Sequence, residues 1–355
     1  MSNKKYNMEG FTMKKMLAVL VASIMTISMT ACGKTVPEGS GTKEESKSKV
    51  STSSNSTGRK AAMVTAQPLG DKGVTDNTYE GFKKGCEEFG YDPTVIEVKE
   101  GEYEETLRSL AQEKYDIIMP CWGALEDACS KVSADFPDSK FILVYSKIDL
   151  PNVKSLMSKQ EEGSYLAGVD AAKTTKTNHI AFMGGSDNPT INQFRAGFEA
   201  GARSINPDIN IDATWVGSFT DPAKAKDLAL MLYDQGADII YVAAAASSTG
   251  VFDAAKETGG QVVGCDVDQN DLVPGQVIGS MVIDYGSWVY QCFQEENDTG
   301  LKFGPYTYGL DNNGLDFVLP KDSTYKTDDE VVNLLKDTKK DIIDGKINVS
   351  EVPEE

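Results

Sequence analysis

From residue 60 to residue 283 the sequence alternates short apolar runs with stretches of helical periodicity, and it does so in two successive sets. Strands are predicted at 60–66, 94–98, 116–121, 140–146 and 153–157, and then at 179–184, 211–217, 238–244, 261–266 and 276–283. Helices are predicted between them at 77–89, 102–114 and 123–135, and at 190–204, 222–235 and 248–258. Strands that alternate with helices form parallel sheets with helices on both faces. The predicted fold class is therefore α/β.

Each set opens with a strand, a polar loop and a helix that carries the motif G-F-x-x-G, at 81–85 and at 197–201. We expect these glycines to bring each helix close to the first strand of its set. The repetition predicts two similar lobes joined by crossover segments. We assign 59–158 and 285–346 to an N-terminal lobe and 159–284 to a C-terminal lobe. Within the returning segment we expect a strand or hairpin at 305–319 and a closing helix at 328–346.

The segment 14–32 has the features of an export signal, with two lysines, an apolar run, small residues and a cysteine. Its end, Met29-Thr30-Ala31-Cys32, resembles a bacterial lipobox. We predict a signal peptide over 1–31, a lipid on Cys32 and a location on the extracytoplasmic face of the cell membrane. The alternatives are an unlipidated signal and a short buried helix. Residues 32–58 lack apolar periodicity and are rich in Ser, Thr, Lys, Glu and Gly, which predicts a disordered tether.

Composition argues against several classes of function. The 54 Asp and Glu residues against 35 Lys and Arg give a net charge of −19, and a surface this acidic repels nucleic acids. The single histidine, His179, rules out a multi-histidine metal site and leaves one possible base for nucleophilic catalysis. The five cysteines besides Cys32 form no CxxC pair, and we expect buried thiols. A two-carboxylate glycoside hydrolase is the enzyme alternative, but we predict no catalytic residue, metal or cofactor.

Candidate ligand-binding residues follow the strands of both sets. In open parallel sheets, ligands bind outside the carboxyl ends of the strands. The loops at these ends carry polar side chains and two flat apolar ones, namely Asp71, Thr75, Asn77, Asp187, Asn188, Asp266, Trp122 and Phe219. Carboxylates and amides beside aromatic rings suit a neutral polyhydroxylated or heterocyclic solute. For each acid, a turn or a helix cap is the alternative role.

Five motifs along the chain resemble those of one family. They are DKGVTDNTYEG at 71–81, EGSYLAG at 162–168, GGSDNP at 184–189, GSFTDPAK at 217–224 and GCDVDQ at 264–269. In this order they are similar to motifs of the basic membrane protein family of ABC-transporter substrate-binding lipoproteins, which includes purine nucleoside receptors. The resemblance implies a type I periplasmic-binding fold with two Rossmann-like lobes. It also implies a monomer that captures a small solute without catalysis, with ABC permease and ATPase subunits as partners.

The resemblance assigns some site residues and questions others. In family members that bind purine nucleosides, two phenylalanines hold the base, and Asn, Asp and Lys side chains read its edge and the ribose. Phe219, Asp266 and Asp71 match this pattern. The chain departs from it at four positions: Val74 and Thr75 replace a Phe and an Asn, Ala246 lies in a loop that is glycine-rich in the family, and Ile283 replaces the Lys.

These departures leave the ligand open. We expect Trp122 to supply the missing ring, and we predict a nucleoside-like neutral solute. The alternatives are another small solute, such as a sugar or an amine, and a sensory role in which a membrane kinase or chemoreceptor reads the bound state.

Overall fold

The structure, a computed structural model of the chain, describes residues 58–321 and 325–353. The predicted signal peptide 1–31, the predicted lipidation residue Cys32 and the predicted tether up to residue 57 lie outside the described residues. None of the helices in the described part of the chain combines the length and the apolar character needed to cross a bilayer.

The first lobe is built on a six-stranded parallel sheet. Its strands lie in the order β11-β5-β4-β3-β1-β2. They are β1 (Arg59–Thr65), β2 (Tyr91–Glu97), β3 (Ile117–Cys121), β4 (Phe141–Val144), β5 (Val153–Ser158) and β11 (Gly304–Tyr308). The helices of this lobe are α1 (Val74–Phe89), α2 (Tyr103–Gln112), α3 (Glu126–Asp135) and α8 (Tyr285–Asp298).

The second lobe repeats this arrangement, with its strands in the order β12-β10-β9-β8-β6-β7. They are β6 (His179–Gly184), β7 (Asn210–Trp215), β8 (Ile239–Ala243), β9 (Gln261–Asp266), β10 (Val277–Ile283) and β12 (Leu315–Val318). Its helices are α4 (Gln160–Thr174), α5 (Pro189–Ile205), α6 (Pro222–Asp234), α7 (Ser248–Thr258) and α9 (Asp329–Ile343). Only the edge strand β12 among these described strands runs antiparallel. The predicted α/β class with two similar parallel sheets is confirmed.

Local sequence signals explain where several helices begin and end. The side chain of Asn188 accepts a hydrogen bond from the backbone N–H of Ile191 at 3.0 Å, and Pro189 occupies the first turn of α5. Asp221 caps α6 in the same way, through the N–H of Lys224 at 3.0 Å. Each cap satisfies a backbone donor that has no partner within the helix. The helix α1 ends at Gly90, which adopts a left-handed conformation with φ of 74°.

The glycines of the repeated motif face the crossover helices and not the first strands, so our expectation about their packing is wrong. A Cβ atom on Gly81 would overlap the backbone of Gly286 in α8. In the second lobe, a Cβ atom on Gly197 would overlap the backbone carbonyl of Glu161 in α4. The missing side chains let α1 approach α8, and α5 approach α4, at backbone contact distance. The repeat therefore fixes how each crossover helix docks on its lobe.

The chain passes between the lobes three times, from β5 to α4, from β10 to α8 and from β11 to β12. The hydroxyls of Ser158 and Tyr285 lie 2.9 Å apart, and the N–H of Lys159 donates to the carbonyl of Tyr308 at 2.8 Å. These bonds tie the three crossings together into a hinge.

The last crossing changes two expectations about the C-terminal part of the chain. Segment 305–319 holds two strands in different sheets, and so it is not a hairpin. β12 pairs with β10, with Leu315 opposite Ile283, and α9 packs on α4. The pairing buries Leu315, which explains why the chain returns to the second lobe there. The assignment of 285–346 to the first lobe therefore fits α8 and β11 but differs for β12 and α9.

The inner strands β1, β3 and β4 of the first sheet and β6, β8 and β9 of the second are mostly buried and mainly apolar. The edge strands β2 and β7 are only partly buried and carry several polar residues. The described cysteines Cys86, Cys121, Cys129, Cys265 and Cys292 are all free and buried. Burial raises the pKa of the Cys129 thiol to about 12, with a smaller contribution from the charge of Glu126. A thiol with so high a pKa is a poor nucleophile. The expectation of buried thiols is confirmed.

Candidate ligand-binding site

Strained backbone marks the carboxyl ends of five strands. Lys72, Trp122, Tyr145, Ala245 and Asp266 have φ angles of 50°, 88°, 69°, 47° and 71°. They follow or end β1, β3, β4, β8 and β9, respectively. A left-handed conformation costs a non-glycine residue about 1–3 kcal/mol, and such strain clusters where a protein binds or reacts with a ligand. Five of the eight described non-glycine residues with positive φ thus lie after strands at this edge, while Lys114, Asn178 and Asn313 lie elsewhere.

Asp71 organises the loop between β1 and α1. Its carboxylate accepts backbone hydrogen bonds from Gly73 at 2.9 Å, Thr75 at 3.0 Å and Asp76 at 3.1 Å, and its side chain is buried. These are donors of the first turn of α1, so Asp71 performs the capping role that we considered as its alternative. It places a fixed negative charge at the edge of the first sheet.

Of the predicted residues in α1, two lie at its buried start and one packs against another helix. Val74 and Thr75 begin the helix and are buried, and the Thr75 hydroxyl has no hydrogen-bond partner in the described part of the chain. Asn77 accepts a hydrogen bond from the N–H of Gly286 at 2.7 Å and so joins α1 to α8. Thr75 therefore offers a free polar atom, whereas the Asn77 carbonyl oxygen is engaged elsewhere.

Asp266 ends β9 of the second lobe and is the most perturbed acid of the site. Burial raises the pKa of its carboxyl to about 7, the charge of Asp71 adds to the rise, and the Cys265 thiol, 3.5 Å away, lowers it slightly. No cation is among the groups that shift its pKa. Because Asp71 belongs to the other lobe, its charge acts on Asp266 across the space between the lobes.

Phe219 and Ala246 lie on two loops of the second lobe that are bonded to each other. The Phe219 ring covers Gly185, where a Cβ atom would overlap the ring. The N–H of Ser247 donates to the Phe219 carbonyl at 3.0 Å, and the Ser247 hydroxyl donates to the Ser218 carbonyl at 3.0 Å. These bonds hold the two loops together, and both Phe219 and Ala246 are partly exposed.

Asp187 and Asn188 both help to shape the start of α5. Asn188 is its cap, and the exposed Asp187 accepts a hydrogen bond from the side-chain amide of Asn192 at 2.9 Å. The carbonyl oxygen of Asn192 is buried and has no partner within the described residues. Asn192 thus presents an unsatisfied acceptor next to the predicted residues, and the sequence reasoning did not select it.

Aromatic side chains form a row from the edge of the first sheet to the hinge. Trp122 packs against Tyr145 with ring centroids 5.1 Å apart, and Tyr145 packs against Tyr285 at 5.3 Å. Burial raises the pKa of Tyr145 well above its usual value, and the nearby charges of Tyr285, Asp266 and Cys265 add to the rise. Tyr145 of the first lobe therefore lies close to Asp266 of the second.

Sequence reasoning missed Tyr145 and Tyr285 and selected Ile283, which is part of the core. Ile283 is fully buried opposite Leu315 and belongs to the continuous apolar cluster between the sheets and their helices. Tyr145 falls inside the predicted strand 140–146, whereas β4 ends at Val144. An aromatic residue at the carboxyl end of a buried strand was the signal that could have identified it.

Comparison with known proteins places the chain in a family. Residues 59–352 match the Bmp family model, described as ABC transporter substrate-binding protein PnrA-like. The chain is 32% identical over 361 residues to the ABC transporter nucleoside-binding protein BmpA of Lactococcus lactis, covering 95% of this chain and 99% of that one. It is 31% identical over 322 residues to a CD4+ T-cell-stimulating antigen of Listeria monocytogenes, covering 82% of this chain and 88% of that one.

A solved structure agrees at the level of the fold. An ABC transporter solute-binding protein from Aeropyrum pernix superposes with a TM-score of 0.76 at 21% identity, covering 83% of this chain and 94% of that chain. The family resemblance inferred from the five motifs is confirmed. The two-lobed chain with its acidic and aromatic cleft therefore belongs to the Bmp family of PnrA-like ABC transporter substrate-binding proteins.

Proposed function

We propose that this protein captures a nucleoside between its lobes and delivers it to the permease of an ABC importer. The observation that carries the proposal is the convergence of Asp266 from the second lobe with Asp71 and Tyr145 from the first. A site made of acids and rings from both lobes is complete only when the lobes are together. A protein that captures its ligand by closing two lobes requires such a site.

The chemistry of the cleft suits a solute with an apolar ring and hydroxyl or N–H donors. The groups that shift the pKa of Asp266 include no cationic side chain. Its carboxylate can therefore accept hydrogen bonds from vicinal hydroxyls or from ring N–H groups of a ligand. Phe219 in one lobe and Trp122 with Tyr145 in the other offer faces on which a base can stack. The convergent acids disfavour phosphorylated ligands. The name of the Lactococcus relative, a nucleoside-binding protein, supports the same ligand class.

Capture occurs by lobe closure at the three crossings. The ligand favours the closed state because both lobes contact it only there. Ser158, Lys159 and Tyr285 lie where the chain crosses, so a change of their backbone angles rotates one lobe against the other. The closed protein then docks on a membrane permease, and its ATPase subunits drive release. In this scheme the protein has no catalytic step.

The membrane attachment is part of the same proposal. A diacylglycerol on Cys32 and the tether that follows would hold a monomeric binding protein on the extracytoplasmic face of the cell membrane. The family membership supports this location, since the relatives include proteins named basic membrane proteins.

The ligand can be tested by calorimetry and by thermal shift on the purified protein. We expect a nucleoside among adenosine, guanosine, inosine and uridine to bind, and to raise the melting temperature by several degrees at 100 times its dissociation constant, where binding adds about 2.7 kcal/mol. Ribose, myo-inositol and free bases should bind more weakly. Because the pKa of Asp266 is about 7, a neutral nucleoside should bind more tightly at pH 8 than at pH 6.

Variants locate the binding in the cleft. Asp266→Asn and Phe219→Ala should each weaken nucleoside binding about tenfold or more, because a buried polar contact or a stacking face is lost. Asp266→Asn should also flatten the pH dependence. The matched control is Asp208→Asn, which makes the same change at an exposed residue near the amino end of β7. Unchanged affinity in both cleft variants would refute the site. If no nucleoside binds, a sugar or amine whose binding is weakened by both cleft variants would refute the ligand class.

A further inference from the structure

A cavity lies at the hinge, and its lining includes none of the candidate ligand-binding residues. It has a volume of about 430 Å³ and is lined by the first lobe, by two of the crossings and by the chain after α9. Lys147 and Thr307 come from the first lobe, Glu161 from the start of α4, Asp311 from the last crossing and Val349 from the C-terminal segment. A cavity of this size accommodates a small organic molecule.

Glu161 is the unusual group of this cavity. Glu161 is 5% exposed, and no side-chain hydrogen bond from a described residue is among the interactions that shift its pKa. Its own backbone N–H donates to its carboxylate. Burial raises the pKa of Glu161 to about 7, and the charges of Glu351 and Glu162 raise it further, while Lys159 lowers it slightly. A buried carboxylate is costly unless it is protonated or paired with a cation, so a cation that enters this cavity would stabilise the ionised form of Glu161.

The neighbouring charges do not supply that partner. Lys159 is already paired with Glu162 at 3.1 Å and lies 4.0 Å from Asp311. The other oxygen of Glu162 accepts the N–H of Leu310 at 2.9 Å. Around the cavity the acids Glu161, Glu162, Asp311 and Glu351 outnumber the bases Lys147 and Lys159. An additional cation is therefore favoured.

The rest of the lining is aliphatic. Ile342 and Ile343 at the end of α9, with Ile347 and Val349 after it, supply an apolar wall. A bare metal ion gains nothing from such a wall, and the described residues contain no group of three or more His, Cys, Asp or Glu side chains arranged to hold one. A cation with a hydrocarbon chain meets both features, because its chain lies on the isoleucines while its N–H groups donate to a carboxylate.

We propose that this hinge cavity binds an aliphatic primary amine, whose ammonium group pairs with Glu161 and whose chain packs on Ile347 and Val349. The site is separate from the nucleoside cleft and is formed by other residues.

The proposal is tested by calorimetric titration of the full protein with 1,4-diaminobutane and n-butylamine at constant ionic strength, with 1-butanol as the neutral probe of similar length. We expect saturable binding of the amines and none of the alcohol. Glu161→Gln should weaken amine binding at least tenfold, because the charge pair is lost. In the wild type, binding should weaken from pH 8 to pH 6 as Glu161 takes up a proton, and this dependence should be absent from Glu161→Gln.

Two further variants keep the test decisive. Val349→Trp fills the cavity without changing the carboxylate, and it should also abolish amine binding, which decides the question if Glu161→Gln does not fold. Asp266→Asn should leave amine binding unchanged, whereas loss of amine binding in this variant would place the amine in the cleft and overturn the proposal. Three other results would also overturn the proposal. They are binding of 1-butanol as tight as that of the amines, no binding of either amine to the wild type, and wild-type affinity for the amines in both Glu161→Gln and Val349→Trp. None of these outcomes depends on whether the cleft binds nucleosides.

Discussion

Asp170 in α4 is a buried acid whose ionisation opposes folding, and this makes a sharp prediction for Asp170→Asn. The side chain is fully buried, and neither carboxylate oxygen has a completed hydrogen bond within the described residues. Burial raises its pKa from 3.8 to about 8, against a small lowering by the nearby Thr174 hydroxyl. Asn has almost the same shape but never carries a charge, so the substitution removes the titration and little else.

The sign and size of the effect follow from proton binding. In the unfolded chain the carboxyl loses its proton near pH 4, whereas in the folded protein it keeps the proton until about pH 8. Between these values the folded state binds one more proton, so the stability of the wild type falls by up to about 1.4 kcal/mol for each unit of rising pH. From pH 5 to pH 7 the advantage of Asp170→Asn over the wild type should therefore grow by about 2–3 kcal/mol.

Urea denaturation at pH 5, 6, 7 and 8 measures this difference directly. Comparing the two proteins at each pH cancels the titration of all other groups, Asp266 included. Asp208→Asn, at an exposed position, is the control and should follow the wild type at every pH. If the free-energy difference between Asp170→Asn and the wild type stays constant from pH 5 to pH 8, Asp170 is not held neutral by burial and the reasoning fails.

Two other predictions concern packing and attachment. Gly81→Ala should lower the free energy of unfolding by about 1–3 kcal/mol or more, because the new methyl group overlaps the backbone of Gly286. The control is Gly123→Ala, which should lower it much less, because its Cβ atom would have no neighbour nearer than 3.6 Å. Equal losses of stability in urea denaturation would contradict the packing of α1 on α8. Cys32→Ser should move the protein from the membrane fraction into the medium, as measured by cell fractionation, and a variant that stays membrane-bound would rule out the lipid anchor.

Much of the fold could be predicted from the sequence because its signals are local. The strand 261–266 and the helix 248–258 were predicted with the first and last residues that the structure shows. The sequence predicts the start of α1 at 77, three residues later than the structure shows. The capping side chain, Asp71, does not occupy the position next to the helix, and it accepts hydrogen bonds from backbone N–H groups as far along the chain as Asp76. A search for a cap residue directly before the helix therefore misplaces its start. The partners of the motif glycines could not be predicted, since Gly81 and Gly286 are distant in sequence and meet only after the chain has crossed twice.

The candidate site was predictable at the level of loops but not of orientations. Asp71, Phe219 and Asp266 lie at the predicted edges because parallel strands bring their carboxyl ends together. Tyr145 was missed because its position depends on a left-handed φ of 69°, which a tyrosine seldom adopts and which no pattern of apolar residues reveals. Ile283 was selected by alignment to a motif, while its burial depends on the pairing of β10 with β12.

The duplication of the fold explains how such a site arises. β4 and β9 occupy equivalent positions in the two sheets, and Tyr145 and Asp266 stand at their carboxyl ends with nearly the same left-handed φ, 69° and 71°. The same left-handed backbone conformation thus occurs at equivalent strand ends of both lobes, and it positions the Tyr145 ring in the first lobe and the Asp266 carboxylate in the second. The two side chains are close enough for the charge of Asp266 to act on Tyr145. The two side chains differ while their supports are equivalent, so the same strand position contributes different chemistry in each lobe. With Asp71 also in the first lobe and Phe219 also in the second, each lobe offers an aromatic face and a carboxylate, which suit the base and the ribose of the nucleoside proposed above.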